Sequence, residues 1–211
     1  RLMEDVAALI DASGAKRVTL IGHDWGAGLA WSFAINRVRP LERLVIMNVP
    51  HPAVMAENLR SNPAQRKKSW YIFFFQLPWL PERMMTARDA RGVRRAFHEM
   101  AVDKTNFTPE VLDHYARNAQ RPGAIRGMIN WYRGAFRARG RLSEPWPMLE
   151  TPTLIVWGEE DSALGIELLD GTDAHVRDLT IERLPGGSHW GQQEAPQKVN
   201  PILEAWLSTP R

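Results

Sequence analysis

The chain has 211 residues, of which 44% are hydrophobic and 24% charged, and its formal net charge is +3. The absence of cysteine excludes disulfides, thiolate zinc sites and a cysteine nucleophile and favours a reducing compartment such as the cytoplasm, and no apolar run approaches the roughly 18–20 residues of a membrane span. Arginines between Arg83 and Arg141 supply much of the positive charge, but acidic residues are mixed with them, which is typical of a solvated helical surface and not of a nucleic-acid site.

The first fifty residues predict a strand–helix–strand unit, because short β-branched apolar runs flank a segment with helical periodicity. The continuous apolar character of both runs suits strands that are buried on both faces. In chain order, the predicted elements are a helix over Arg1–Ile10 that Gly14 ends, a strand over Arg17–Ile21, a turn over Gly22–Gly26, a helix to about Asn36 and a strand over Leu41–Met47.

Between these elements and the C-terminal part, strand-like runs disappear and prolines punctuate helical patterns. We therefore expect a core over residues 1–50, an inserted all-helical cap over 51–147 and a second part of the core over 148–211. The last part predicts a strand over Thr153–Trp157, a helix over Ile166–Asp173, a strand over Leu179–Leu184 and a helix over Pro196–Leu207. The whole pattern predicts an α/β fold with a doubly wound, mostly parallel sheet.

Three predicted strands end next to a titratable side chain, namely Asp24, Asp161 and His189. Ligand sites of such sheets lie at the carboxyl ends of the strands. Asp24 stands at the centre of a Gly-His-Asp-Trp-Gly sequence between a strand and a helix, which is the layout of a nucleophile elbow. The backbone N–H of Trp25 would then face charge that develops on an intermediate. The alternative is that Asp24 only caps the helix.

An aspartate nucleophile implies a particular chemistry, because a carboxylate attacks a saturated carbon and forms an ester, whereas serine attacks a carbonyl. His189 follows the last predicted strand, where it would act as the general base; the alternative is a surface histidine. Glu159, Glu160 and Asp161 compete for the role of the acid that orients the histidine, and an acidic turn is the structural alternative. The order nucleophile, acid, histidine is that of the α/β-hydrolases.

These motifs resemble the epoxide hydrolases of the α/β-hydrolase fold. The resemblance covers nearly the whole chain, through the sequences at residues 22–26, 48–52, 157–161 and 188–196. It selects Asp161 as the acid, and it places Asn48 at the family's alternative acid position. His-Asp-Trp-Gly also occurs in haloalkane dehalogenases, so it defines the mechanistic class and not the substrate.

The resemblance also implies that two cap tyrosines bind and protonate the epoxide oxygen. Tyr132, in Asn-Trp-Tyr-Arg, and Tyr71 occupy the expected positions, although both could be core residues. Tyr115 lacks a matching context and is interpreted as structural. His23 and His51 are interpreted as scaffold residues near the site.

The sequence departs from the family in two ways, the first small and the second more serious. Ala27 replaces a glycine that is common after the elbow. The family's His-Gly-x-Pro loop and first strands are not among these residues, and the chain begins at Arg1. The strand before Gly22 would then lack a neighbour, and we expect the 211 residues alone to fold poorly and to be inactive.

The function that the resemblance implies is hydrolysis of a small apolar epoxide by water to a vicinal diol, with no metal and no organic cofactor. Asp24, His189, Asp161, Tyr71 and Tyr132 would be catalytic, and Trp25 would supply the oxyanion donor. The alternatives are a haloalkane or haloacid dehalogenase with the same triad and a non-catalytic ligand-binding protein. The particular epoxide and the oligomeric state stay open, with a homodimer as one option.

Overall fold

A computed structural model describes residues 1–138 and 146–210 of the chain. Residues 139–145, which belong to the predicted cap and include Arg141, lie outside the described residues, as does Arg211. Within the described part, no helix is both long enough and apolar enough to cross a membrane.

A parallel sheet of four strands forms the centre of the core. Its strands, in spatial order, are β1 (Thr19–His23), β2 (Arg43–Met47), β3 (Thr153–Gly158) and β4 (Leu179–Leu184). The register pairs Gly22 with Ile46 and Gly158 with Leu184. Because all four strands run in the same direction, their carboxyl ends lie along one edge, where the loops that follow them meet.

Apolar side chains cover both faces of the two central strands. Alternate residues of a strand point to opposite faces, so Ile46 and Trp157 join one buried cluster whereas Val45 and Val156 join the other. The first cluster includes apolar residues of α2 (Trp25–Ile35), and the second includes residues of α10 (Pro196–Ser208). The sheet is therefore doubly wound, as the sequence predicts.

The remaining elements of the core are α1 (Leu2–Ser13), the 3-10 helices Ile166–Leu169 and Thr172–Ala174, and the short α9 (Gly191–Glu194). Gly14 ends α1 in the left-handed conformation, with φ of 64°, a region that glycine adopts without steric cost.

Among the described residues between β2 and β3, the chain forms six helices. They are α3 (Pro52–Ser61), α4 (Pro63–Lys68), α5 (Trp70–Phe74), α6 (Leu80–Met100), α7 (Pro109–Gln120) and α8 (Ala124–Ala138). Proline at the first turn starts several of them, and the side chains of Asn62 and Thr108 cap α4 and α7. Ala87–Ala90 interrupt α6 with non-helical backbone. Ala90, Val93, Ala116 and Ala119 form a buried cluster of their own, distinct from the clusters on the sheet.

Several local predictions are wrong in detail. Helix α2 starts directly after Asp24, so residues 22–26 do not form a separate turn. The predicted helix over Ile166–Asp173 is replaced by two 3-10 helices, and α9 has no counterpart in the prediction. Strand β1 begins two residues later than expected and lies at the edge of the sheet, where Ile21 is 44% exposed and not buried on both faces.

Candidate active site

The turn between β1 and α2 places Asp24 in a strained conformation. Its φ is 49° and its ψ is −129°, which is unusual for a residue other than glycine and costs about 1–3 kcal/mol. Gly22 makes the sharp turn possible, since an added Cβ would lie 2.6 Å from the carbonyl oxygen of Gly26. Asp24 holds the N-cap position, but its carboxylate makes no capping hydrogen bond. The side chain is therefore available to the residues across the sheet edge.

His189 lies between two carboxylates. Its Nδ1 donates a hydrogen bond of 2.6 Å to Oδ2 of Asp161, and its Nε2 lies 3.5 Å from Oδ1 of Asp24. The His189 side chain is 5% exposed, whereas that of Asp24 is 42% exposed. The buried bond to Asp161 fixes the ring orientation and leaves Nε2 facing the open carboxylate of Asp24.

Asp161 is held by three further donors. Its Oδ1 accepts from the backbone N–H groups of Ala163 at 2.8 Å and Leu164 at 2.9 Å. Its Oδ2 accepts from Nδ2 of Asn48 at 2.9 Å. Of the three acidic candidates in this loop, the structure brings Asp161 to His189. Glu160 is exposed, and Glu159 forms an ion pair of 2.7 Å with Arg183.

The charges of these three groups stabilise one another. Burial alone would lower the pKa of His189, but hydrogen bonds and charges from Asp161 and Asp24 raise it to about 9. Burial opposes ionisation of Asp24, yet the histidine and the backbone N–H of Trp25 keep the pKa of that carboxyl below its usual value. Burial also opposes ionisation of Asp161, but His189 and the backbone N–H groups of Leu164 and Ala163 keep the pKa of that carboxyl below its usual value. A cationic histidine between two carboxylates is the resting state that follows at neutral pH.

The two predicted tyrosines lie together, close enough to Asp24 for its charge to act on both. Tyr71 is on α5 and Tyr132 on α8, and their rings meet edge to face with centroids 5.7 Å apart. Tyr132 also packs against the indole of Trp25 at 4.9 Å. Burial raises the pKa of both hydroxyls above the usual range, and the nearby charge of Asp24 raises both further. Both hydroxyls are therefore protonated donors at any physiological pH.

Of the two histidines interpreted as scaffold residues, His23 contacts the site, whereas the ring contacts of His51 are with Trp31, Trp146 and His175. The Nε2 atom of His23 lies 2.8 Å from the carbonyl oxygen of His189, and the two rings are 4.8 Å apart. His51 is fully buried and stacks on His175, with centroids 4.6 Å apart. Burial and the charge of His175 lower the pKa of His51 to about 3, so His51 is neutral in the folded protein.

The role of Asn48 was not predicted from the sequence. Besides its bond to Asp161, its Oδ1 accepts from the backbone N–H of Gly158 at 3.0 Å. Asn48 has a φ of 48°, a region in which asparagine is more common than most residues. Its position after a strand, opposite the strand that precedes Asp161, is the signal that could have indicated this contact.

Two cavities lie near the helices. The larger, of about 950 Å³, is lined by polar and charged residues such as Glu82, Arg126 and Arg133. The smaller, of about 410 Å³, is mainly apolar and is lined in part by Trp25, Leu29 and Trp131. Of these two, the apolar cavity reaches Trp25 of the nucleophile elbow, but neither is lined by Asp24 or His189. Among the described residues, no group of three or more His, Asp or Glu side chains is arranged to hold a metal ion.

Comparison with known proteins gives the family. Residues 1–202 match the model of the Alpha/beta hydrolase family. The chain belongs to this family. This alpha/beta hydrolase is 36% identical to the AB hydrolase superfamily protein YfhM of Bacillus subtilis, over 98% of the chain and 71% of that relative. It is also 37% identical to the human protein named Epoxide hydrolase 4, over 98% of the chain and 58% of the relative.

Solved structures show the same fold. The alpha/beta hydrolase superposes on the epoxide hydrolase of Bacillus megaterium in complex with an inhibitor with a TM-score of 0.88, at 30% identity, over 99% of the chain and 75% of that structure. A variant of the same enzyme, solved with a naphthyloxy-propanediol product, gives a TM-score of 0.87 at 31% identity, with the same coverage. The predicted fold class and the resemblance to the family are confirmed. The chain nevertheless spans only 58% of the human relative.

Proposed function

We propose that the protein containing this chain hydrolyses epoxides to vicinal diols through an ester of Asp24. One observation carries the proposal: His189 lies 3.5 Å from the carboxylate of Asp24, whose charge also acts on the hydroxyls of two half-buried tyrosines, Tyr71 and Tyr132. A carboxylate nucleophile with a base beside it suits attack on a saturated carbon followed by hydrolysis. The relatives named as epoxide hydrolases support the same substrate class.

In the first half-reaction, a carboxylate oxygen of Asp24 attacks one epoxide carbon. The bond between that carbon and the epoxide oxygen breaks, and the oxygen takes a proton from Tyr71 or Tyr132. The phenolate then regains a proton from solvent, and the cationic His189 gives its proton up to solvent, so that the tyrosine is restored and the histidine is neutral before the second half-reaction. The product is a hydroxyalkyl ester of Asp24. Two donors that stay protonated at neutral pH suit this step, because the opening ring generates an alkoxide that is a stronger base than either phenolate.

In the second half-reaction, His189 accepts a proton from water, and the resulting hydroxide attacks the ester carbonyl of Asp24. The backbone N–H of Trp25 donates to the oxyanion of the tetrahedral intermediate. The intermediate then expels the diol oxygen, which receives the proton from His189, and Asp24 is restored with one oxygen from water. Esterification removes the negative charge of Asp24, one of the two charges that raise the pKa of His189, so the pKa of His189 falls at the stage at which the histidine acts as the base.

Helices α3–α8 would act as a cap over this site. They lie between β2 and β3 in the chain, have a buried cluster of their own and carry both tyrosines. Aromatic rings beside the two tyrosines, those of Phe75 and Trp25, favour an epoxide with an apolar substituent. A cytoplasmic location and a homodimer stay predictions from the sequence.

A second candidate is a dehalogenase with the same triad. The indole N–H of Trp25 is buried and makes no hydrogen bond of normal geometry within the described residues. The Trp25 side chain nevertheless lies close enough to Tyr132 to lower the pKa of the Tyr132 hydroxyl. An N–H donor beside the nucleophile is what a departing halide requires. The two tyrosine donors favour the epoxide, which needs a proton and not only an N–H contact.

The test uses the full-length protein and its Asp24→Asn variant, with Asp170→Asn at an exposed position as the matched control. Each is incubated with styrene oxide and, separately, with a haloalkane. We expect diol from the unmodified protein and the control and none from Asp24→Asn. Halide release without diol from a panel of epoxides would instead support the dehalogenase.

A further inference from the structure

A buried carboxylate connects the loop of His189 to the helical segment. Glu194 is 2% exposed, and its Oε2 accepts a hydrogen bond of 2.8 Å from the backbone N–H of Ser188, the residue before His189. Its Oε1 accepts from the backbone N–H of Asp103, in the connection between α6 and α7. One side chain thus satisfies two N–H groups from segments that are distant in the sequence.

Gln193 makes a second set of contacts to the same segment. Its backbone oxygen accepts from Nδ2 of Asn106 at 3.0 Å, and its own Nε2 donates to the backbone oxygen of Asn106 at 3.3 Å. The hydroxyl of Tyr115, on α7, donates to Oε1 of Gln193 at 2.6 Å. We call the five residues Asp103, Asn106, Tyr115, Gln193 and Glu194 the clasp.

Stacked aromatic rings extend the clasp to the histidine. The ring of Phe97 lies between those of Tyr115, at 3.8 Å, and Trp190, at 4.5 Å. The indole N–H of Trp190 donates to the backbone oxygen of Ala96 at 3.3 Å, and the edge of the Trp190 ring meets His189 at 5.0 Å. Trp190 is therefore attached to α6, and Ser188 is attached through Glu194 to the connection between α6 and α7.

We propose that the clasp positions His189 for hydrolysis of the Asp24 ester. Asp161 orients the ring of His189, but the backbone on either side of His189 is held by the clasp through Ser188 and Trp190. Tyr115, Gln193 and Glu194 are thus positioning residues, and the inference rests on the proposed function. Tyr115, which was interpreted as structural from the sequence, thereby has a role in the second half-reaction.

The kinetic consequence is specific, because in the proposed function His189 acts as the base in the second half-reaction. In a two-step mechanism, kcat/KM reports formation of the ester, whereas kcat also depends on its hydrolysis. Where hydrolysis limits turnover, weakening the position of His189 lowers kcat and KM together, leaves kcat/KM unchanged and increases the fraction of enzyme present as the ester. A general loss of structure would not produce this combination.

The experiment compares the full-length protein with Tyr115→Phe, Glu194→Gln and the control Glu204→Gln, an exposed glutamate on α10. Tyr115→Phe removes one hydrogen bond and keeps the stacked ring, so we expect kcat to fall about 3- to 10-fold. Glu194→Gln replaces an acceptor of two N–H groups with a side chain that has one acceptor, and a larger fall is expected. Gln193→Ala is measured alone and combined with Tyr115→Phe. Because the two residues share one hydrogen bond, the fall in kcat of the double variant should be smaller than the product of the two single falls.

Mass spectrometry during turnover measures the ester on Asp24 in each variant, and thermal unfolding checks that each is folded. A fall in kcat/KM without accumulation of ester, or no change relative to Glu204→Gln, would overturn the role of the clasp. If Glu194→Gln does not fold, Tyr115→Phe alone decides the question. An unmodified protein that forms neither diol nor ester would refute the proposed function itself, a result that is distinct from any effect of the clasp variants.

Discussion

The two sides of the site are built by different physical means. On the core side, Asp24, Asp161 and His189 follow strands β1, β3 and β4, and charged hydrogen bonds fix their geometry. On the helical side, aromatic packing places Tyr71 and Tyr132, with edge-to-face contacts to each other and to Trp25. The rigid sheet edge therefore sets the distances of the acid–base chemistry, whereas the position of the proton donors depends on how the helices pack. Substitutions on the core side should therefore impair hydrolysis of the ester, whereas substitutions on the helical side should impair its formation.

The largest effect is expected on the core side, from His189→Gln. The variant loses the base for the second half-reaction, so kcat should fall by roughly 10³-fold or more while the ester accumulates on Asp24. Intact-mass measurement after addition of substrate detects the ester. His98→Gln, at a helical position remote in the sequence, serves as the control. A variant that loses turnover without any adduct would show that His189 acts before ester formation.

On the helical side, Tyr132→Phe and Tyr71→Phe should each lower kcat/KM by about 10- to 100-fold, because one of two donors to the epoxide oxygen is lost. Ester should not accumulate, which is the opposite of the result for His189→Gln. Steady-state kinetics and mass spectrometry distinguish the two. Phe73→Leu, which changes an aromatic residue of α5 that is 55% exposed, is the control. Equal loss in all three variants would indicate damage to the packing of α5 and not a role in proton donation.

The charge of the core side predicts a pH dependence with a definite sign. The pKa of His189 is raised from 6.5 to about 9, so the histidine is cationic in the resting protein. The ion pairs of this cation stabilise the folded state in full below pH 6.5, and that contribution to the free energy of unfolding is lost as the pH rises through 9. Removing the Asp24 charge should lower the pKa of His189. Because Asp24 is neutral in the ester, the midpoint of the pH profile of kcat should also lie below 9. NMR titration of His189 in the unmodified protein and in Asp24→Asn tests the shift. An unchanged or higher pKa in Asp24→Asn would contradict the electrostatic coupling.

The smallest effect on activity is expected from Asn48→Ala. The variant leaves the buried N–H of Gly158 without its acceptor and removes one donor from Asp161, so the free energy of unfolding should fall by about 1–3 kcal/mol. Activity should fall less than about tenfold, because the bond between His189 and Asp161 is kept. Urea unfolding and steady-state kinetics of the full-length protein measure both, with exposed Asn118→Ala as the control. A loss of activity as large as that of His189→Gln would place Asn48 in the chemistry itself.

The contrast between the two sides also explains what the sequence could predict. Buried strands are continuous apolar runs, so β2 and β3 and the residues that follow them could be found from the pattern alone. The choice of Asp161 among three acidic neighbours needed the resemblance to a family, because local sequence does not show which carboxylate meets a histidine 28 residues away. Tyr71 and Tyr132 needed it too, since helical periodicity does not say which helix faces the elbow. The clasp could not be predicted from the sequence, because the hydrogen bond between Tyr115 and Gln193 joins residues that are 78 positions apart and meet only in the tertiary structure.

The most direct test of the central claim is a single turnover in heavy-oxygen water, with the full-length protein in excess over an epoxide. Hydrolysis at the ester carbonyl places the oxygen of water in Asp24 and leaves the first diol unlabelled. We therefore expect heavy oxygen in the peptide that contains Asp24 and none in the diol. Heavy oxygen in the diol with an unlabelled Asp24 would mean that water attacks the epoxide directly, and the ester mechanism would then be wrong.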